Sequence, residues 1–163
     1  MTTGERIDGP TVRLSEQAIT LAERHAIEAA PNELGGILVG WWEGRDTAVV
    51  QELLLVPDYQ AGRSHYERGH SHAQAILDAY VRSGDDPRLG YIGEWHSHPA
   101  PQPPSSVDRS ALAAIVRQAH SPVALVVLAL ISDHEVVSHA LIGRPRWPRR
   151  AAIEQAATER MTP

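Results

Sequence analysis

Two hydrophobic patterns alternate along this chain. Apolar residues that recur every three to four positions are typical of amphipathic helices, and short continuous apolar runs bounded by Gly, Pro or polar residues are typical of buried strands. The helical pattern is found in four stretches: residues 15–30, 71–82, 106–120 and 148–160. The strand pattern is found in five: residues 35–42, 47–56, 89–98, 123–131 and 135–142. This alternation of strands with helices predicts a single α/β domain.

The composition narrows the chemistry that the chain can perform. With 163 residues, 42% of them hydrophobic and 21% charged, the chain matches one ordinary globular domain. Because it contains no Cys, disulfide bonds, thiolate zinc ligands and Cys nucleophiles are excluded.

The net charge of −5 argues against nucleic acid as a partner. The segment Arg144-Pro145-Arg146-Trp147-Pro148-Arg149-Arg150 is a local exception. We interpret it as a solvated connector, with a basic docking strip as the alternative. Trp147 is equally consistent with an interface or a packed position.

No membrane segment is predicted. Residues 1–10 are polar and lack the apolar core of a signal peptide, and the longest apolar run, 122–131, is too short to span a bilayer. We therefore expect a cytoplasmic location and no membrane partner.

The strongest chemical pattern is His96-Ser97-His98, followed by Asp108. Residues i and i+2 of a strand point to the same face, so both imidazoles can reach one ion. The proline-rich residues 99–104 turn the chain toward the next helix, and Asp108 lies in the first turn of that helix. Two His and one carboxylate are a ligand set that zinc accepts while one position stays open. Asp108 also has a purely structural interpretation, as part of a helix capping box.

A second His-x-His pair, His70 and His72, provides a contrast. It lies at the start of a predicted helix, where residues i and i+2 diverge by about 200°. We therefore predict that this pair does not share a metal ion.

Hydrolysis at a metal site also requires a group that moves a proton. Glu33 and Glu94 are the candidates, and the residues alone do not decide between them.

These residues resemble the JAMM (JAB1/MPN/Mov34) metalloprotease motif. The parts in common are Glu33 in a Glu-x-Gly-Gly-x-Leu-x-Gly setting, then His96-Ser97-His98-Pro99, then Ser105-x-x-Asp108. The resemblance covers about residues 12–143 and implies an α+β domain of the MPN/JAB type, with a mixed sheet flanked by helices. Residues 1–11 would then be a flexible N-terminus, and 144–163 a basic connector with a C-terminal helix.

The resemblance also implies the site. One Zn²⁺ would be held by His96, His98 and Asp108, with Glu33 as the general acid/base and Ser105 holding the scissile carbonyl oxygen. The loop 99–104 is one residue shorter than the family usually has, which puts the position of Asp108 in question and makes Ser106 a competitor for the serine role.

Within that family, residues 89–99 and the helix predicted at 71–82 resemble those of stand-alone bacterial members. Such members include deconjugating peptidases found beside E1/E2-like ligases in CBASS operons. The expected function is a zinc isopeptidase or peptidase that cleaves an amide after the C-terminal tail of a ubiquitin-like or conjugated protein, with residues 57–69 and 99–104 shaping the substrate groove. Processing of a small sulfur-carrier protein and a non-catalytic binding module of the same fold are the alternatives.

Overall fold

The computed structural model describes residues 9–57 and 70–163. The helices are α1 (Glu16–Ala29), α2 (His70–Ser83) and α3 (Ser106–Ala119). The strands are β1 (Thr11–Ser15), β2 (Gly35–Glu43), β3 (Thr47–Leu55), β4 (Gly90–His98), β5 (Val123–Leu130), β6 (Val136–Arg146) and β7 (Arg150–Met161).

The strands form one closed mixed barrel in the order β1-β3-β2-β4-β5-β6-β7. The pairs β1/β3, β1/β7 and β4/β5 are parallel, and the other neighbours are antiparallel. The first and last strands close the barrel, with Thr11 opposite Ala157. Closure leaves no free sheet edge among the described strands.

Three apolar clusters hold the helices on this barrel. The largest fills the barrel interior and includes Ala18, Ile19 and Ala22 from α1. The second packs α3 on the outer face of β5 and β6, and the third packs α2 on the outer face of β2. The prediction of a single α+β domain with a mixed sheet flanked by helices is confirmed.

Two glycines in the strands around β4 allow close backbone approach. A Cβ on Gly36 would lie 1.8 Å from the Leu54 carbonyl oxygen, and one on Gly93 would lie 1.9 Å from the Ala124 carbonyl oxygen. Both contacts are with backbone, so no side chain could be accommodated without shifting a strand.

The prediction of a C-terminal helix at 148–160 is wrong. Arg150–Met161 forms strand β7, which pairs with β6 on one side and β1 on the other. Its Ala, Glu and Gln residues favour a helix locally, but the two ladders satisfy its backbone and override that propensity. The basic segment 144–150 comprises the end of β6, the tight turn at 147–149 and the first residue of β7.

The N-terminal boundary also needs correction. Thr11, assigned to the flexible N-terminus, begins β1 and is buried. Residues 1–8, and the greater part of the predicted groove segment 57–69, lie outside the described residues. No helix in the part of the chain that the structure describes is long and apolar enough to cross a membrane.

Candidate metal centre

Three donor side chains converge where β4 ends and α3 begins. The Nε2 atoms of His96 and His98 lie 3.2 Å apart. Asp108 places Oδ1 3.2 Å from His96 Nε2 and Oδ2 3.4 Å from His98 Nε2. All three side chains are buried. The structure therefore brings together the ligand set that the sequence predicts.

The face of β4 that carries the two histidines is the outer face of the barrel. Glu94, His96 and His98 alternate with Trp95 and Ser97 along the strand, so the first three share one face. Glu94 lies opposite Ile37, which packs under α2, and His96 lies opposite Val127, which packs under α3. The candidate site thus lies between the two outer helices.

The spacing of the donors fits a small tetrahedral ion. With zinc–ligand bonds of 2.0–2.1 Å, the donor atoms of a tetrahedral site lie about 3.3–3.4 Å apart. The two histidine nitrogens lie 3.2 Å apart, and each lies 3.2 or 3.4 Å from an Asp108 oxygen, Oδ1 for His96 and Oδ2 for His98. With one donor atom taken from each side chain, all three lie within 4.8 Å of one another, close enough to share one ion. Two imidazoles and a carboxylate are borderline ligands that suit zinc, and three donors leave a fourth position open. The residues therefore fit the implied metal.

A capping box fixes Asp108. Its backbone N–H donates to Ser105 Oγ at 3.1 Å, and its Oδ2 accepts from the Ser105 N–H at 2.7 Å. Burial opposes ionisation, but the hydrogen bonds from His96 and His98 prevail and hold the pKa of Asp108 well below its usual value. The capping role and the convergence with the histidines therefore coexist, and the short proline loop still delivers Asp108 to the site.

The backbone of that loop orients His98. His98 Nδ1 lies 2.8 Å from the Gln102 carbonyl oxygen, which can only accept. Nδ1 therefore carries the proton, and Nε2 presents its lone pair to the site. When the ring takes up a second proton, Nε2 donates it to Asp108. This hydrogen bond outweighs burial and, with the Gln102 carbonyl and the charges of Asp108 and Glu33, raises the pKa of His98.

Glu33 lies at the rim of the site. The next residue, Leu34, makes two hydrogen bonds with Ser97, between the histidines: Leu34 N–H to Ser97 Oγ at 2.9 Å, and Ser97 N–H to Leu34 O at 2.8 Å. Glu33 itself is exposed and close enough for its charge to act on His98. The start of β2 thereby places a solvent-accessible carboxylate beside the donors.

Glu94, the other candidate base, is buried, with a relative exposure of 6%. Its Oε1 lies 3.5 Å from the Tyr91 hydroxyl, and burial raises the pKa of Glu94 to about 7. A carboxylate enclosed under the sheet-flanking helices is poorly placed to contact a substrate. The geometry therefore favours Glu33.

Ser105 and Ser106 are both exposed at the mouth of the site. Ser105 is the N-cap of α3, where its oxygen accepts from Asp108 N–H and its own O–H remains able to donate. Ser106 is the first residue of the helix and takes no part in the capping box.

Three further groups near the site were not predicted from the sequence. They are Ser97, which ties β2 to β4, the Gln102 carbonyl, and His139 on β6. His139 lies opposite Val127, which lies opposite His96, so all three share one row of the outer face. Burial and the charge of His98 lower the pKa of His139. The alternation of residues along β6 places His139 on one face of the strand. Only the strand register shows that this face also carries the metal centre.

The second His-x-His pair lies on α2. His70 begins the helix, and its side chain lies outside the described residues. His72 is exposed. Among the described residues, the only metal-compatible His, Asp or Glu group is His96, His98 and Asp108.

Two curated proteins named CD-NTase/cGAS isopeptidase are similar to this chain. The protein of Enterobacter hormaechei subsp. hoffmannii (strain UCI 50) is 36% identical over 100 residues, which are 60% of this chain and 53% of that protein. The protein of Escherichia coli (strain TW11681) is 30% identical over 103 residues, which are 62% of this chain and 65% of that protein. The matched region thus spans between half and two thirds of each relative.

The fold is shared with a Desulfitobacterium hafniense protein whose structure was determined in solution. The TM-score is 0.63 at 18% identity, over 92% of this chain and 94% of that one. This likeness concerns the fold alone.

The family is decided by a family model described as prokaryotic homologs of the JAB domain, which matches residues 15–145. That range contains β2, β4, α3 and all the predicted site residues. The resemblance that the motif predicted is thereby confirmed, and the chain belongs to the prokaryotic homologs of the JAB domain.

Proposed function

We propose that this chain is a zinc-dependent isopeptidase that cleaves an amide after the C-terminal tail of a ubiquitin-like or otherwise conjugated protein. The observation that carries the proposal is the convergence of His96, His98 and Asp108 at 3.2–3.4 Å beside an exposed Glu33. The names of the two similar proteins support an isopeptide bond as the target. A non-catalytic role would be favoured by a disrupted donor set, and the donors here converge.

Each residue has one task in this scheme. His96, His98 and Asp108 would hold Zn²⁺, which supplies Lewis acidity toward a carbonyl oxygen and lowers the pKa of a nearby water. Glu33 accepts the proton of the attacking water and returns it to the amine as the amide C–N bond breaks. Ser105 donates its hydroxyl hydrogen to the carbonyl oxygen as negative charge develops there.

The fixed parts of the site explain why little reorganisation is needed. The Gln102 carbonyl holds the His98 tautomer, and the Ser105 backbone holds Asp108. The paired hydrogen bonds between Leu34 and Ser97 tie the residue after Glu33 to the residue between the two histidines. Such preorganised surroundings are what a metal hydrolase requires of its protein.

The test combines elemental analysis of zinc with cleavage of an isopeptide-linked protein conjugate. We expect about one zinc per chain in the wild type, a loss of zinc and activity in Asp108→Ala, and a loss of activity alone in Glu33→Ala. His72→Ala is the matched control, because it removes a histidine of the other His-x-His pair and should change neither quantity. Retention of zinc by Asp108→Ala, or full activity in Glu33→Ala, would contradict the proposal.

A further inference from the structure

The turn between β6 and β7 exposes a tryptophan at the end of the barrel remote from the metal centre. Trp147 is 93% exposed, whereas Trp95 is fully buried in the core. A side chain with this much apolar area is seldom left in water, and Trp is among the residues most enriched at the centres of protein interfaces. A partner that covers this indole would gain free energy by removing its apolar surface from water.

Basic side chains surround this indole. A cavity of about 210 Å³ beside it is lined by Trp147, Pro145, Pro148, His120 and four arginines, and by no acidic residue. The arginines are Arg117, Arg146, Arg149 and Arg150. None of these four forms an ion pair with a carboxylate of residues 9–57 or 70–163. We call these lining residues the Trp147 surface.

Charge is therefore segregated on this molecule. Four of its 15 Lys and Arg residues lie on the Trp147 surface, in a chain with 20 Asp and Glu and a net charge of −5. The neighbouring cavity on the other flank of the same turn also contains arginines, but there the carboxylates of Asp46 and Glu154 offset their charge. The positive potential is thus directed toward the α3 side of the turn.

We propose that the Trp147 surface docks an acidic polypeptide segment that carries an apolar side chain. The arginines pair with its carboxylates and the indole covers its apolar group, as Arg and Trp do in interface hot spots. At physiological salt the Debye length is about 8 Å, and charges further apart than this are largely screened. A short acidic segment held beside the arginines is therefore attracted by them and little repelled by the distant carboxylates of the chain. A nucleic acid would extend across that acidic remainder, which favours a polypeptide.

The surface and the metal centre lie at opposite ends of α3. Asp108 is in the first turn of the helix, and His120 caps its other end, about 18 Å away at 1.5 Å per residue. A segment bound at the Trp147 surface therefore leaves the metal centre accessible. Docking is a function separate from hydrolysis and is testable without it.

The experiment measures anisotropy of a fluorescein-labelled peptide of alternating glutamate and leucine. Matched probes are the same peptide with glutamine for glutamate, and a labelled single-stranded oligonucleotide of equal charge. The protein variants are Trp147→Ala and the pair Arg146→Glu with Arg149→Glu. The control pair is Arg24→Glu with Arg82→Glu, which reverses two exposed arginines elsewhere.

We expect the acidic peptide to bind the wild type in a salt-dependent way, and both Trp147 surface variants to bind at least about tenfold more weakly. The control pair should bind within about twofold of the wild type, and the glutamine peptide should not bind. Melting temperatures verify folding, and Arg149→Gln replaces the double variant if that variant does not fold. Equal binding by wild type and variants, or tighter binding of the oligonucleotide, would overturn the proposal.

Discussion

Glu94 is the residue whose environment departs furthest from what its position in the sequence suggests. Its carboxyl group is buried, and its pKa is raised from 4.5 to about 7. Between these two values the folded protein binds more protons than the unfolded chain does. The contribution of Glu94 to stability is therefore fully present below pH 4.5 and is lost as the pH rises through about 7.

We predict that Glu94→Gln removes this loss in metal-free protein. Between pH 5 and 8 the wild type should lose about 2.5 kcal/mol of unfolding free energy more than the variant does. Urea unfolding at several pH values in the presence of a chelator measures the difference. Exposed Glu28→Gln is the control and should leave the pH profile as in the wild type; parallel profiles for wild type and Glu94→Gln would refute the prediction.

Ser97 ties β4 to the segment that carries Glu33, because its hydroxyl oxygen accepts a hydrogen bond from the Leu34 N–H. Ser97→Ala would leave that N–H without its partner at a partly buried position, which costs about 1–3 kcal/mol. It would also loosen Glu33, so we expect a lower kcat with zinc retained. Urea unfolding, elemental analysis and conjugate cleavage measure these effects. Ser110→Ala, exposed on α3, should be neutral in all three; an equal effect of the two substitutions would contradict this role for Ser97.

Much of the site follows from sequence spacing. The alternation of His96 and His98 along a strand places both on one face, and a serine three residues before Asp108 indicates a helix start. The depth of Glu94 and the acceptor role of the Gln102 carbonyl could not be predicted, because both depend on how neighbouring elements pack. The residues alone did not decide between Glu33 and Glu94, and the prediction of Glu33 came from the resemblance to the JAMM motif.

At the scale of elements, the N-terminus of α3 couples helix capping to the metal centre. We predict that Ser105→Ala destabilises the protein by about 1 kcal/mol, because Asp108 N–H loses its acceptor. Asp108 would then sample other rotamers, so zinc affinity measured by competition with a chelating dye should also fall. Ser106→Ala is the neighbouring control and should change little. A larger loss of stability or zinc affinity in Ser106→Ala than in Ser105→Ala would contradict the capping role of Ser105.

The helices and most strands were predictable for a physical reason. Helix α1 begins after its Ser15 cap and ends before Pro31, and β5 is a continuous apolar run. Strands β1 and β7 carry no comparable signal. Strand β1 is five residues long, and β7 is rich in Ala and Glu. Both become strands because they pair with each other and with β3 and β6, and local propensity carries no information about such pairing.

At the scale of the whole molecule, barrel closure makes the last strand essential. We predict that a chain ending at residue 148 loses its cooperative melting transition, because β1 and β6 would both become open edges. Circular dichroism during heating measures this. Deletion of residues 162–163 alone, beyond the end of β7, is the control and should melt like the full chain. A cooperative transition in the shorter chain would show that residues up to 148 are sufficient.

The pairing of β1 with β7 also has a consequence for synthesis on the ribosome. Thr11 emerges well before its partner Ala157, which lies 146 positions later in the chain. Contacts between residues so distant in the chain form late and slowly, because the intervening segment must be ordered first. The nascent chain therefore holds its metal ligands for some time before the barrel can close around its core. We expect chaperone binding to nascent chains to continue until β7 has left the exit tunnel.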